Sequence, residues 1–391
     1  MGVGRFVYTP ILPLMHARAG LSAGAGADLA TANYAGYLVG ALAGILAPAL
    51  VRSPALLRTS LVALTVSLAA MPATHSTGVW VGLRLLAGVA SAVIFVIAVS
   101  SLHSRLREHP AHLSGWAFGG VGAGIALSGL LVLTLRSVAD WRAAWWASAA
   151  LTAVLTIASW QLRPEPAPAA TAAPAGPAGG GAPTLRARPW FGVLFASYTL
   201  EGVGYIVAGT FLVAAIEQSS PGWIGSGAWV LVGLAAVPSA ALWARLGRRW
   251  SHPGLLFVAL VVQAAGIALP ALIAGVTAGL VSAVLFGATF IGVSTLALAA
   301  GAQLRFPRSV ALLTAGYSVG QILGPLAVAP LLRHGYHQAL ILAAAVVLAA
   351  AAAAAVLRRG LTLHGVVVRR GAPVRRPARA EATADPDRGG V

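Results

Sequence analysis

Few side chains in this 391-residue sequence carry charge, so each charge inside an apolar stretch stands out. Glu201 lies eleven residues beyond Trp190 in one such stretch. At 1.5 Å of helix rise per residue, that places it about 16 Å deep, near the midplane of a bilayer. A carboxyl stripped of water at that depth favours its neutral form, so it can take up and release a proton as its surroundings change. The competing reading is a structural acid held by a neighbouring helix. Arg5 and Arg84 are the two other charges inside apolar stretches. Arg84, six residues past Gly78, is also close enough to a helix end to snorkel to the interface. Tyr8, Asn33, Tyr34, Tyr37, Tyr198, Tyr205, Tyr317 and Gln321 are the remaining polar or aromatic groups in these stretches. Such groups either line a cavity for an organic solute or hydrogen-bond one helix to the next. Other chemistries lack residues: Cys is absent, the nine His have no metal-ligand spacing, and no Ser, His and acid share a depth.

The elements that must hold these groups are membrane helices. Charged residues make up 9% of the chain and hydrophobic ones 58%, with a mean hydropathy of +0.84. A soluble domain carries about 25% charge, so a soluble enzyme, a disordered protein and a nucleic-acid-binding domain are all excluded at the outset. Apolar runs long enough to span occur at about 28–50, 55–73, 78–101, 111–135 and 141–162, then at about 190–217, 224–247, 253–274, 276–301, 309–332 and 336–357. The run from Met1 to about Met15 is apolar but short, giving eleven full spans and a partial one. Between the two sets, 163–189 is a linker in which 20 of 27 residues are Pro, Gly or Ala. The chain therefore divides into a bundle at 1–162, the linker, a bundle at 190–357 and an Arg-rich tail at 358–391 without apolar periodicity.

The two sets echo each other. Gly2-Val-Gly-Arg5 aligns with Gly202-Val-Gly-Tyr205, Leu38-Val-Gly40 with Leu231-Val-Gly233, and Val121-Gly122 with Val319-Gly320, at offsets of 200, 193 and 198. A duplicated six-helix unit is the expectation. It sets Arg5 level with Tyr205, one turn from Glu201, and predicts that Arg5 and Glu201 approach across a central cavity, directly or through a solute. An Arg that merely tightens helix packing is the alternative. Twelve residues from Trp190 precede Gly202 but only Met1 precedes Gly2, so the first helix reads as short by two to three turns. That points to a start upstream of Met1, against a naturally short first helix.

The net charge of +17 comes entirely from Arg, since Lys is absent. With both ends cytoplasmic, inside loops and tail hold 20 Arg and outside loops 4, which fits the positive-inside rule and argues against a nucleic-acid surface. The tail can touch anionic lipid or simply be solvated. No signal peptide precedes the first apolar run. Trp80, Trp141, Trp160, Trp190, Trp223, Trp243 and Trp250 fall near helix ends and read as interfacial anchors. The glycine runs at 115–124 and 316–324 read as close helix packing, because no strand precedes them as a dinucleotide loop requires.

These features resemble the major facilitator superfamily (MFS), which implies twelve helices as two pseudo-twofold bundles. Arg84-Leu-Leu-Ala-Gly88-Val-Ala-Ser-Ala92 is similar to its fourth-helix motif, which implies a part for Arg84 in proton coupling. The run at 115–124 is similar to the fifth-helix antiporter motif without its Gly-Pro pair, a resemblance that favours export. Arg245-Leu-Gly247-Arg248-Arg249 resembles the cytoplasmic loop gate, with Ala244 where an Asp is usual. Gly2–Pro10, Ala32–Tyr37 and Leu200–Tyr205 resemble the YbfB/YjiJ-like branch, whose members are presumed transporters.

The expectation is an all-α polytopic protein of the bacterial inner membrane. It acts as a monomeric secondary transporter of a small organic solute by alternating access, coupled to protons, with no cofactor, metal or nucleic acid. Glu201 titrates, Arg5 is its counter-charge and Arg84 tunes coupling. A non-transporting sensor or scaffold on the same bundle is the rival, and an enzyme would need a cluster of acids or His at one membrane face.

Overall fold

The computed structural model describes the chain except for residues 48, 50–51, 106–110, 138–139, 163–186, 305 and 364–391. The expected linker and most of the tail thus lie outside the described residues, as do Arg107, Arg163, Arg186 and Arg305.

Thirteen α-helices follow one another: α1 Gly2–Phe6, α2 Tyr8–Ala19, α3 Ala23–Leu46, α4 Pro54–Ala70, α5 Thr77–Arg105, α6 Ala111–Leu135 and α7 Trp141–Ser159 in the first half. The second half has α8 Ala187–Ser219, α9 Gly222–Leu246, α10 His252–Leu272, α11 Val276–Gln303, α12 Ser309–Val328 and α13 Tyr336–Leu363. No strand occurs among the described residues. α1 and α2 act as one crossing: Val7 between them keeps right-handed helical angles, its N–H reaches Val3 O and its carbonyl takes Ile11 N–H. Pro10 has no N–H to offer the preceding turn, which accounts for the irregularity there. The fold is thus twelve crossings in two sets of six. Among the described residues nine helices are long and apolar enough to cross a membrane unaided.

Caps fix the ends that hydropathy left loose. Ser22 accepts from Ala25 N–H at 3.1 Å, so α3 starts five residues before the apolar run at 28. Asp140 caps α7 through Ala143 N–H at 2.9 Å. α12 stops at Val328, short of the expected 332, and a 3₁₀ turn over Leu331–His334 completes the connection. α13 instead runs past 357 through Arg358 and Arg359 to Leu363.

One hydrophobic cluster runs through both halves, while side chains such as Leu130, Val154, Ile157, Leu234 and Leu348 point outward on the rims. Water would penalise that apolar surface; hydrocarbon does not. The duplication is visible in packing. Gly2 of α1 lies against the backbone of Val121 and Gly124 in α6, where an added Cβ would come within 2.8 Å of Val121 O. A Cβ added at Gly202 of α8 would lie 2.7 Å from Tyr317 O of α12, and one at Gly320 would lie 2.3 Å from Thr199 O. The same glycine crossing is built twice.

Three of the seven Trp expected as interfacial anchors are core residues instead. Trp80 donates to Met71 O at 2.8 Å and packs edge-on against Trp141, and Trp243 donates to Ala288 O at 2.8 Å. A Trp near a helix end turns inward when a carbonyl takes its N–H. Trp160, Trp223 and Trp250 are exposed as expected.

Candidate functional site

The first half supplies the positive charge. Gly36 and Gly88 let α3 and α5 touch backbone to backbone: an added Cβ would sit 2.1 Å from Leu85 O at Gly36 and 2.0 Å from Asn33 O at Gly88. That contact brings Asn33 onto Arg84, whose carbonyl accepts from the Asn33 amide at 3.0 Å. It also swings the Arg84 side chain inward, away from any interface. Its Nη2 donates to Arg5 O at 3.3 Å, and its guanidinium lies 4.9 Å from the centre of the Tyr8 ring. Arg84 is 2% exposed, so the snorkelling reading fails. Arg5, on α1, is 7% exposed and lies over the Tyr37 ring at 4.0 Å, with Phe6 and Tyr34 at 5.3 and 5.5 Å. Cation–π contact is favourable to a desolvated guanidinium but does not cancel its charge. Tyr8 donates to Gly26 O at 2.8 Å, and Tyr34 shares a 2.9 Å hydrogen bond with Thr210 of α8.

The second half supplies rings and the acid. The Gly202–Tyr317 and Gly320–Thr199 contacts set α8 against α12, which lays Tyr198 on Tyr317 with ring centres 4.5 Å apart. The stack continues through Tyr205, 5.8 Å from Tyr317, to Phe290, 4.9 Å further and inclined by 22°. Phe6 of the first half meets Phe290 edge-on at 5.8 Å. Gln321, one turn beyond Tyr317, accepts a hydrogen bond from Arg5 Nη2 at 3.0 Å across the two halves. Arg5, Tyr8, Asn33, Tyr34, Tyr37, Arg84, Tyr198, Tyr205, Tyr317 and Gln321 therefore form one cluster joined through Phe6 and Phe290, all of them buried except the half-buried Tyr317.

Of the two ways in which Glu201 was expected to meet Arg5, directly or through a solute, the direct contact is not made. The Arg5 guanidinium goes to Gln321 instead. Glu201 is fully buried on α8 near Tyr198, Tyr205 and Tyr317, with Gln263 of α10 facing it. Neither of its carboxyl oxygens has a hydrogen-bond partner of ordinary geometry. An unpaired, water-free carboxyl is tolerated when it carries its proton.

A second set of polar contacts ties the halves together along α2 and α8 and where α6 and α8 end and α13 begins. Thr9 donates to Gly209 O at 2.6 Å, and His16 Nε2 pairs with Tyr336 OH at 2.5 Å. Arg136 donates to Glu217 Oε1 at 2.9 Å, to Ser226 Oγ at 3.4 Å and to Gly222 O, the one ion pair among the described residues. Sequence reasoning counted Arg136 only as a loop charge and passed over Glu217. Its signal was there: it is one of nine acids, at the end of the same helix as Glu201. At the opposite end Arg245, Arg248 and Arg249 are exposed in and after the last turn of α9, with Gly247 as its C-cap. They make no ion pair among the described residues. A cavity of about 460 Å³ between α1, α4, α5, α6 and α7 is lined by apolar side chains such as Leu57, Leu61 and Ile94, and none of the charged residues reaches it. Between the halves, α6 and α9 cross at Gly122 and Gly233, whose added Cβ atoms would meet backbone at 2.6 and 2.2 Å. The run at 115–124 is used in this crossing, a role that carries no direction of transport.

The model of a family described as uncharacterised MFS-type transporter YbfB matches residues 1–356. The chain belongs to that family. No curated protein matches this member of the YbfB family. Among solved structures it is similar to the crystal structure of a mutant of the nucleoside transporter NupG, with a TM-score of 0.69 and 14% identity over 91% of this chain and 97% of that one. At that identity the likeness concerns the fold, that of a polytopic MFS bundle.

Proposed function

We propose that this YbfB-family protein is a secondary active transporter that carries a small organic solute by alternating access, coupled to protons at Glu201. The observation that carries the reading is the carboxyl itself: wholly buried, faced by the neutral amide of Gln263 and by no cation among the described residues, and next to the ring stack that joins the two halves. A group whose charged form has no compensation inside must be neutral when enclosed and can ionise when water reaches it. That is the behaviour a coupling site requires. The duplicated bundles, in close backbone contact at Gly122 and Gly233, supply the two bodies that alternating access requires. With both ends in the cytoplasm of a bacterial inner membrane, as the Arg distribution favours, the Arg136–Glu217 end faces outward and the Arg245–Arg249 turn faces inward.

The test is transport into proteoliposomes under an imposed pH gradient, with a panel of organic solutes and a pH-sensitive dye inside. Solute-driven proton movement in wild type, lost in Glu201→Gln with solute exchange retained, is the expected result. Proton movement unchanged in Glu201→Gln removes the carboxyl from coupling, and solute binding without any flux would favour a sensor.

A further inference from the structure

Two guanidinium groups are buried side by side in the first half with no acid to balance them. Arg84 Nη2 reaches a backbone carbonyl, while its Nε and Nη1 have no hydrogen-bond partner; Arg5 reaches neutral groups, the Gln321 amide and Tyr37, and its Nε is likewise unpartnered. Arg cannot shed its proton to escape this, so both positive charges persist. Neither of the acids near the cluster, Glu201 beside the ring stack and the exposed Asp28 near Tyr8, forms an ion pair with either. Rings, not anions, surround the two groups: Tyr8 at Arg84, and Tyr37, Tyr34 and Phe6 at Arg5.

We propose that the transported solute is a planar organic anion, an aromatic or conjugated carboxylate. Its carboxylate is bound by the free donors of Arg84 together with Arg5, and its ring extends the Tyr198–Tyr317–Tyr205 stack. This rests on the transport reading above and names the chemistry of its substrate. Guanidinium with its forked donors matches a carboxylate in two parallel hydrogen bonds, and in a water-free site such charge-assisted bonds are among the strongest available. The stacked rings are inclined by only 14° and 16° to one another, so they present a flat aromatic wall beside Arg5 against which a flat ring packs better than a puckered one. Gln321 holds Arg5 in the solute-free arrangement, and a carboxylate is the stronger acceptor that displaces it. A cation would meet two like charges there, and a neutral solute would leave both uncompensated.

The experiment is calorimetric binding to the purified full-length protein. The probes are 2-naphthoate and benzoate, their neutral amides, benzylamine as the cation, and cyclohexanecarboxylate as an anion without a flat ring. The carboxylates are expected to bind at least about tenfold tighter than their amides, and 2-naphthoate tighter than cyclohexanecarboxylate. Arg84→Gln should remove that preference and Arg84→Lys retain part of it, with size-exclusion profile and helical circular dichroism showing that each variant folds. Amide or amine binding as tightly as the carboxylate overturns the proposal. So does an unchanged preference in Arg84→Gln, or no carboxylate binding up to about 10 mM. Binding without transport in proteoliposomes would leave the substrate class standing and remove the transporter. Transport of an amide or amine alone would do the reverse.

Discussion

The two halves of this protein share a backbone and divide its chemistry. Gly2 against Gly124 and Gly202 against Tyr317 are the same crossing, yet the position that is Arg5 in one half is Tyr205 in the other. Around Arg5 and Arg84 the first half collects permanent positive charge over aromatic faces. Around Tyr205 the second half builds a stack of rings with one titratable carboxyl behind it. Duplication set where side chains point, and divergence at matched positions set what they do. A solute lodged between unlike halves is held by charge on one side and by shape on the other.

That contrast is broken most severely at the glycines that create it. Gly88→Ala would place a Cβ 2.0 Å from Asn33 O, against backbone that cannot step aside. Loss of monodisperse protein after extraction is expected, whereas Gly120→Ala, with nothing within 4 Å, should leave yield unchanged. Next is Glu201→Gln, which keeps shape but not protonation: gradient-driven flux should fall by about 100-fold or more while exchange of solute continues, as isotope counterflow measures. Arg5→Gln should act on the other half of the comparison, weakening solute binding by about tenfold with proton uptake by Glu201 intact. A smaller effect is expected at the Arg136–Glu217 end. The sequence has no Cys, so Ser226→Cys provides a single reporter. Arg136→Gln should speed its labelling by an impermeant maleimide, with a stability loss of about 1 kcal/mol or less. Tyr34→Phe, which removes the bond to Thr210, should cost about 0.5–1.5 kcal/mol and leave the solute preference as it was.

Depth was readable from the sequence; direction was not. Hydropathy located the long helices, and counting along a helix from Trp190 put Glu201 well inside α8, where it is buried. A membrane helix that is apolar on all sides, as α6 and α8 are, gives no stripe to say which way a given side chain faces. Arg5 and Glu201 were therefore placed at one depth and assumed to face one another, when Arg5 turns to α12 and Glu201 to α10. Trp80, Trp141 and Trp243 misled for the same reason: they stand near helix ends but rotate into the core. The duplicated glycines were the exception. A residue with no side chain marks the face where another backbone must come close, so the echo Gly2/Gly202 carried rotational information that hydropathy lacked; Gly122 and Gly320 turn to different partners, α9 and α8.

The crossing of α6 and α9 has one more consequence. Where Gly122 meets Gly233, main chain rests on main chain, and one turn or two away the short side chains of Val237 and Val230 sit over Gly119 and Gly129. A joint of that kind has few and stiff rotamers to unpick, so the bundles roll over each other there with less of the energetic catch that interlocked leucines impose. The smooth bearing is the axle, and resistance to rocking is left to the few polar fastenings at its ends.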